Sequence, residues 1–470
     1  MNDERAASSA AGGGRLSHAW VLSLLLVVAG AVAAMPAAAL STGGVSVAEQ
    51  TGAVRDLLAA RSAAVASGDS RRWAATVAPG AGDFASQQDA LFATLAGLPR
   101  AAWTYRYAGL GPALPFSRAR ELGDGAFIAR VRLSYRLAGM DQGDVQRDHY
   151  VTLARRGGQW LIAGDDDAGD LSRRAPDPWD LGELDLAQGR SSLVLARPGS
   201  AGLSGSGLAG LAGLAGLAGL ADRAVEQVQE LWPGPWPGRV VVIVPADVAE
   251  MARLVHDGGH RDIADLEQLA AVTTGQPRSD PGGTTTGNRI IVNPTVFARL
   301  TETGRQVVLT HEATHVATRT LGGSAVPSWL SEGFADYVAY RATDLGVEEV
   351  AGDVLARVRT GAGPVGLPAE IDFDASRGPV SEAYALAWLA VRHIAQSHGQ
   401  SRLVEFYLRA AASRPKDPVE AFDAAIGETL GISAEQFHVG WRRAVADLAA
   451  VSLPAPEMAS GMASGMEEAG

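Results

Sequence analysis

Two short segments set the tightest constraint on how this 470-residue chain can fold: "VVLTHEATHVATR" at 307–319 and "WLSEGFADY" at 329–337. His311 and His315 stand four apart in an apolar run, so on a helix their imidazoles lie one turn apart on one face, with Cβ atoms about 6 Å apart. Glu332 and Asp336 repeat that spacing, and a second helix therefore presents two carboxylates on one face. The chain has no cysteine, so a metal must be held by histidine and carboxylate alone. A catalytic zinc takes three protein ligands and keeps a fourth position open, and His311, His315 and Glu332 supply such a set. Glu312, next to the first histidine, can reach a water at the metal without being a ligand itself. Asp336 is spaced to accept the outer N–H of a ligand histidine, the contact that fixes its tautomer. The first helix is expected to end near Gly322-Gly323.

"HEATH", then "WLSEGFADY", then "SEAYALAWLAVRHIAQSHG" at 381–399 resemble, in type and order, the gluzincin zinc metallopeptidases, most closely their bacterial peptidase-MA-like branch. The resemblance covers roughly 185–448. It implies one Zn2+ ion, a third ligand at Glu332, and peptide-bond hydrolysis in which Glu312 takes a proton from the attacking water and passes it to the leaving amine. It also implies Tyr384 as a phenol that stabilises the oxyanion. Read from the residues alone, Tyr384 is equally a core aromatic in a helix with Leu386, Trp388 and Leu389, and Tyr337 and Tyr340 are lesser candidates for the same role. Aminopeptidases of the alanyl type carry a G-x-M-E-N strand whose glutamate holds the substrate's free amine. Here "GNRIIVNP" at 287–294 occupies the comparable position without an acidic residue, so an endopeptidase is favoured, and that strand is expected to bind an extended peptide by its edge. "HDGGH" at 256–260 carries two glycines and no glutamate, which suits a loop, and His393 and His398 are read as structural.

Upstream the periodicity changes twice. Apolar residues at Val47, Val54, Leu57, Leu58, Ala64 and Val65 suit an amphipathic helix over 46–68, and "FASQQDALFATLAGLP" suits a second. Trp103, Tyr105 and Tyr107, then Val131, Leu133, Tyr135 and Leu137, alternate with polar residues as half-buried strands do. "DHYVTLARRGGQWLIAGD" adds two more around Gly157-Gly158, a hairpin turn. Helices followed by such a meander, ending in "QWLIAGD", resemble the nuclear-transport-factor-like cone over 45–170, in which a bent sheet wraps helices. Further on, "SSLVLA", "RVVVIVP" and "RIIVNP" read as strands, and from Thr301 the chain reads as mainly helical. The triplet repeat "LAGLAGLAGLAGL" at 208–220 drifts around a 3.6-residue helix and is read as a surface connection.

The expected class is α+β: a cone-like domain, then a gluzincin-type domain with a small mixed sheet followed by a helical zinc-binding part. The expected organisation is an N-terminal segment over 1–44, the cone over 45–170, a linker over 171–184, the peptidase-like domain over 185–450 and a disordered tail over 451–470. Residues 19–40 are uncharged and follow Arg5 and Arg15, which suits an export signal, either cleaved or retained as a membrane anchor. The bulk of the chain is then extracytoplasmic, anchored or secreted. A net charge of −12 argues against nucleic acid as a partner and leaves a peptide or protein substrate, with the membrane a partner only through 19–40 if uncleaved. Two functional classes stay open: a zinc peptidase, and an inactive surface binding protein that uses the cone and a zinc-peptidase scaffold.

Overall fold

The computed structural model describes residues 47–172, 176–200, 213–255, 263–267, 269–277, 285–319, 326–364, 366–374, 377, 380–412 and 418–451. The expectations for residues 19–40, "HDGGH", Gly322-Gly323, the first triplets at 208–212 and the tail from 452 lie outside them.

The fold is α+β. Helices α1 (Val47–Ser67), α2 (Ser70–Ala74) and α3 (Asp83–Gly97) precede a four-stranded antiparallel meander, β1 (Arg100–Leu110), β2 (Phe127–Leu137), β3 (Val145–Arg156) and β4 (Gln159–Gly164), with α4 (Phe116–Leu122) between the first two strands. The alternation read from sequence is the register seen: Trp103 faces Tyr135, Tyr105 faces Leu133 and Tyr107 faces Val131. Gly157 and Gly158, at φ +56° and +87°, make the two-residue turn between β3 and β4, where positive φ costs glycine little. Inside, Trp103, Tyr135 and Trp179 pack ring on ring at 5.0–5.4 Å.

The second sheet is mixed, in the order β5-β6-β7-β9-β8: β5 (Asp185–Gln188), β6 (Ser192–Ala196), β7 (Val240–Val244), β8 (Ala271–Pro277) and β9 (Thr285–Val292). Strands β6, β7 and β9 are parallel; β5 and β8 are antiparallel edges. Both faces are covered, which is why β6 and β7 read as unbroken apolar runs. Leu193, Leu195 and Val241 share a hydrophobic cluster with Trp103 and Tyr135 of the first sheet and with Trp179 of the 3-10 turn Pro178–Leu181 that follows it. Val194, Ala196, Val240, Val242 and Val244 point the other way, into the large helical core.

That core begins with α5 (Leu214–Gln229), and here the reading of the triplet repeat as a surface connection is corrected for its described part. Leu217, Ala218, Leu220 and Ala221 are buried, in line with Ala224, Val225 and Val228. A three-residue period falls only about 60° behind per step on a 100°-per-residue helix, so a pair of steps keeps one stripe, which the following sequence then continues. Short helices α6 (Val248–Leu254), α7 (Ile263–Leu266) and α8 (Pro294–Arg299) flank the sheet. The helical part follows: α9 (Glu302–Thr318), α10 (Ser328–Tyr340), α11 (Val347–Arg359), α12 (Ser381–His398), α13 (Gln400–Ala412), α14 (Pro418–Leu430) and α15 (Ala434–Ala450). No helix among the described residues is long and apolar enough to cross a membrane.

A second correction concerns the strand expected to offer its edge. The "RIIV" of that segment falls in β9, which is hydrogen-bonded on both sides, by β7 and β8, while Asn293 caps the helix that follows. The open edge belongs to β8, in which the β-branched Val272, Thr273 and Thr274 suit a strand and Gly275 and Pro277 do not.

Candidate metal centre

Helix α9 starts at Thr301, whose side chain accepts the Gly304 N–H at 3.1 Å, and ends at Thr318, before the expected glycine pair. Its interior is fixed on one side by α5, where Thr310 Oγ1 donates to Gln227 Oε1 at 2.6 Å and Gln306 Nε2 donates to the Leu220 carbonyl at 3.2 Å. Helix α10 follows Pro327 and crosses α12 closely at Gly333. A Cβ there would stand 2.4 Å from the Ala387 carbonyl oxygen, so only glycine allows the approach. This crossing brings α9, α10 and α12 around one cleft of about 370 Å3, lined by His311, Glu312, His315, Glu332 and Tyr384 together with β8.

Within it the two four-residue spacings meet. Nε2 of His311 lies 3.0 Å from Nε2 of His315 and 3.1 Å from Oε2 of Glu332, and His315 Nε2 lies 3.2 Å from that same oxygen. On the far side of the ring, His311 Nδ1 donates to Asp336 Oδ1 at 2.8 Å, which leaves the Nε2 lone pair facing inward. Side-chain burial is similar throughout: 13%, 12% and 20% exposed for His311, His315 and Glu332.

The donor set fits a zinc ion. Bonds of about 2.0–2.1 Å at tetrahedral angles separate neighbouring ligand atoms by about 3.3 Å, close to the triangle of 3.0, 3.1 and 3.2 Å seen here. Three acceptor-type atoms converging at such distances repel one another unless a proton or a cation sits among them. The electrostatics agree. Burial works against charge on the Glu332 carboxyl, yet the His315 charge and the bonds from both rings hold it well below the usual carboxylate range. Burial likewise lowers His311, and the charge and hydrogen bond of Asp336 overcome it and raise this imidazole well above its ordinary value.

Glu312 is buried on the same wall, and its Oε2 accepts from Thr273 Oγ1 at 2.5 Å. Tyr384 lines the cleft from α12, its ring 6.1 Å from that of His311 and edge-on to Phe373 at 5.4 Å. Tyr337 and Tyr340 are not among the residues lining it. The Tyr337 hydroxyl accepts from Gln400 Nε2 at 3.0 Å, and Tyr340 packs against Trp388 at 5.8 Å. His393 and His398 lie on α12 and are not among the residues lining the cleft.

Sequence reasoning missed Thr273 and Arg319. Arg319 follows His315 by four residues, the same interval as the ligand pair, and its Nη1 donates to the Thr273 carbonyl at 2.5 Å. That spacing was a usable signal; nothing local marks Thr273.

The sequence matches no family profile and no curated protein. A solved structure of a variant M1 zinc metallopeptidase from Deinococcus radiodurans is similar at 18% identity and a TM-score of 0.32, over 67% of this chain and 61% of that one. The chain thus spans less than two thirds of that protein, and the reading of the cleft rests on its own geometry.

Proposed function

We propose that this chain is a zinc-dependent peptidase that hydrolyses internal peptide bonds outside the cytoplasm. The observation that carries the reading is the convergence of His311, His315 and Glu332 on one point, with Asp336 behind His311 and Glu312 on the same wall. A zinc ion held by those three residues supplies a Lewis acid that polarises a carbonyl and lowers the pKa of water from 15.7 toward about 7.

The chain's own residues do the rest. Among the described residues no donor reaches Oε1 of Glu312, so this oxygen can take the proton of the attacking water while Oε2 stays tied to Thr273. The same carboxyl then returns the proton to the leaving amine, and no covalent enzyme intermediate is needed. Asp336 keeps the His311 ring in one tautomer and orientation. Tyr384, at the rim beside His311, is the phenol placed to donate to the developing oxyanion.

Substrate presentation falls to β8. The Asn293 N–H bonds to the Ala270 carbonyl, so the antiparallel alternation commits the backbone of Val272 and Thr274 to β9 and turns that of Ala271 and the Thr273 N–H to the open edge, the Thr273 carbonyl accepting from Arg319. An extended peptide laid along this edge pairs main chain with main chain. Among the described residues the acidic side chains lining the cleft are Glu312 and Glu332, the one assigned to proton transfer and the other to the metal, which favours internal bonds over recognition of a free amine. We assign residues 45–170 to a cone-like domain and 185–450 to the peptidase domain, with 19–40 as export signal or anchor.

The test is hydrolysis of a peptide library by wild type beside Glu312→Gln, with zinc measured on both. Cleavage by wild type alone, at equal zinc content, supports the reading. Zinc binding without cleavage by either protein indicates a binding protein on a peptidase scaffold instead.

A further inference from the structure

Glu312 must hold one oxygen toward a water in the cleft, yet its side chain is long and turns about three bonds. What fixes it comes from the sheet and not from its own helix. Thr273 Oγ1 donates to Glu312 Oε2 at 2.5 Å and lies 3.2 Å from the Glu312 backbone carbonyl, so a single hydroxyl touches both ends of the residue. Thr273 is itself buried. We propose that Thr273 is the positioning residue for Glu312, and that the N-terminal sheet keeps it in place by clamping the β8–β9 hairpin; the proposal rests on the peptidase reading above.

An edge strand is a weak place from which to hold a catalytic carboxylate, since it is paired on one side only and a slip of one residue turns every side chain to the other face. Here such a slip would put Val272 or Thr274 in place of Thr273. The β2–β3 turn of the N-terminal sheet prevents it. Arg289, opposite Thr274 in the register, reaches across to Asp141 with Nη1 to Oδ1 at 2.7 Å and Nη2 to Oδ2 at 3.1 Å, and both residues are nearly fully buried. Gln276 uses its side chain as a strand would use its backbone, accepting from the Gln146 N–H at 3.0 Å and donating to the Gln146 carbonyl at 2.8 Å. Thr286 Oγ1 donates to the Gly143 carbonyl at 2.9 Å. Gly287, at φ +64°, lets Val145 lie so close that a Cβ would stand 2.8 Å from its Cγ2. From inside the cleft, Arg319 of the metal-ligand helix fixes the Thr273 carbonyl. The first sheet thus holds the hairpin on one side of Thr273, through Gln276, Thr286 and Arg289, and Arg319 holds it at Thr273 itself.

The experiment compares wild type, Thr273→Val, Thr273→Ser, Asp141→Asn and Glu312→Gln, each loaded with zinc, by kcat, KM and zinc content. Valine keeps the shape of threonine and removes the hydroxyl. The expected result is a fall in kcat of about ten- to a hundredfold for Thr273→Val, the scale of a misplaced catalytic group. KM and zinc content should stay near wild type, and Thr273→Ser should recover most of the lost kcat. Asp141→Asn is expected to lower kcat in the same direction with zinc retained. Should it fail to fold, Gln276→Ala, which removes a clamp without stranding a buried charge, provides the same reading.

Wild-type kcat in Thr273→Val beside an inactive Glu312→Gln overturns the positioning role and leaves the peptidase reading standing. A serine variant as slow as the valine variant overturns it as well, because the effect is then packing and not the hydroxyl. Wild-type kcat in the clamp variant overturns the part played by the N-terminal sheet. Full activity in Glu312→Gln removes the peptidase reading and this proposal with it.

Discussion

Helices α9 and α10 and strand β8 line one cleft by opposite means. The helices hold four ionisable side chains on mutually buried faces, spaced by the turn of the helix and tied to one another at 2.8–3.2 Å. The strand contributes a hydroxyl and backbone groups along an open edge, and is kept in register by contacts with the other sheet. The difference is one of cost. Charges brought together out of water need a stiff frame, since an unmatched buried charge costs several kcal/mol. Backbone groups at an edge stay solvated until a peptide covers them, so the strand can remain open at little cost.

If that division holds, damage to the helical wall abolishes chemistry and damage to the strand's open backbone edge weakens substrate handling, while the Thr273 hydroxyl, which touches Glu312, acts on kcat with the helical wall. The largest effect belongs to Glu312→Gln, expected to lower kcat by about 100- to 10,000-fold with zinc retained, measured by steady-state hydrolysis together with metal analysis. Next, Tyr384→Phe is expected to lower kcat by about 100- to 1,000-fold with KM little changed, if its phenol meets the oxyanion; an unchanged kcat returns Tyr384 to the core. Asp336→Asn should weaken zinc binding by about 10- to 100-fold in a competition titration with a chelator, because the His311 ring loses its anionic partner. On the strand, Ala271→Pro removes an N–H that faces the open edge, and is expected to raise KM up to about tenfold at nearly constant kcat, the worth of one hydrogen bond. A kcat loss in that variant as large as for Glu312→Gln would dissolve the distinction between the two walls.

The two walls also differ in how far they can be read from the chain. The helical wall is written in intervals of four, His311 to His315 and Glu332 to Asp336, and these intervals survive folding because the helix fixes them. The first sheet was legible for a similar reason: a period of two at Trp103 to Tyr107 and Val131 to Leu137, closed by Gly157-Gly158. Strand β8 is neither alternating nor β-branched throughout, and it forms because β9 and the β2–β3 turn give it a place. The role of Thr273 depends on a partner 39 residues away, so no local pattern announces it. Helix α5 misled for the converse reason, since the triplet period looks unfit for a helix until its last repeats are joined to the stripe that follows. Where side-chain spacing is set by the backbone's own geometry, sequence suffices; where it is set by a neighbour, it does not.

One metal ion is proposed to sit where His311, His315 and Glu332 meet. Zinc-edge X-ray absorption on the purified protein, with metal content measured in parallel, addresses it most directly. The expected result is one zinc per chain with two imidazole ligands and a carboxylate, and loss of one imidazole from the spectrum, or of the metal altogether, in His315→Ala. A zinc signal that is indifferent to both His311→Ala and His315→Ala, or a well-folded protein that takes up no zinc, would contradict it.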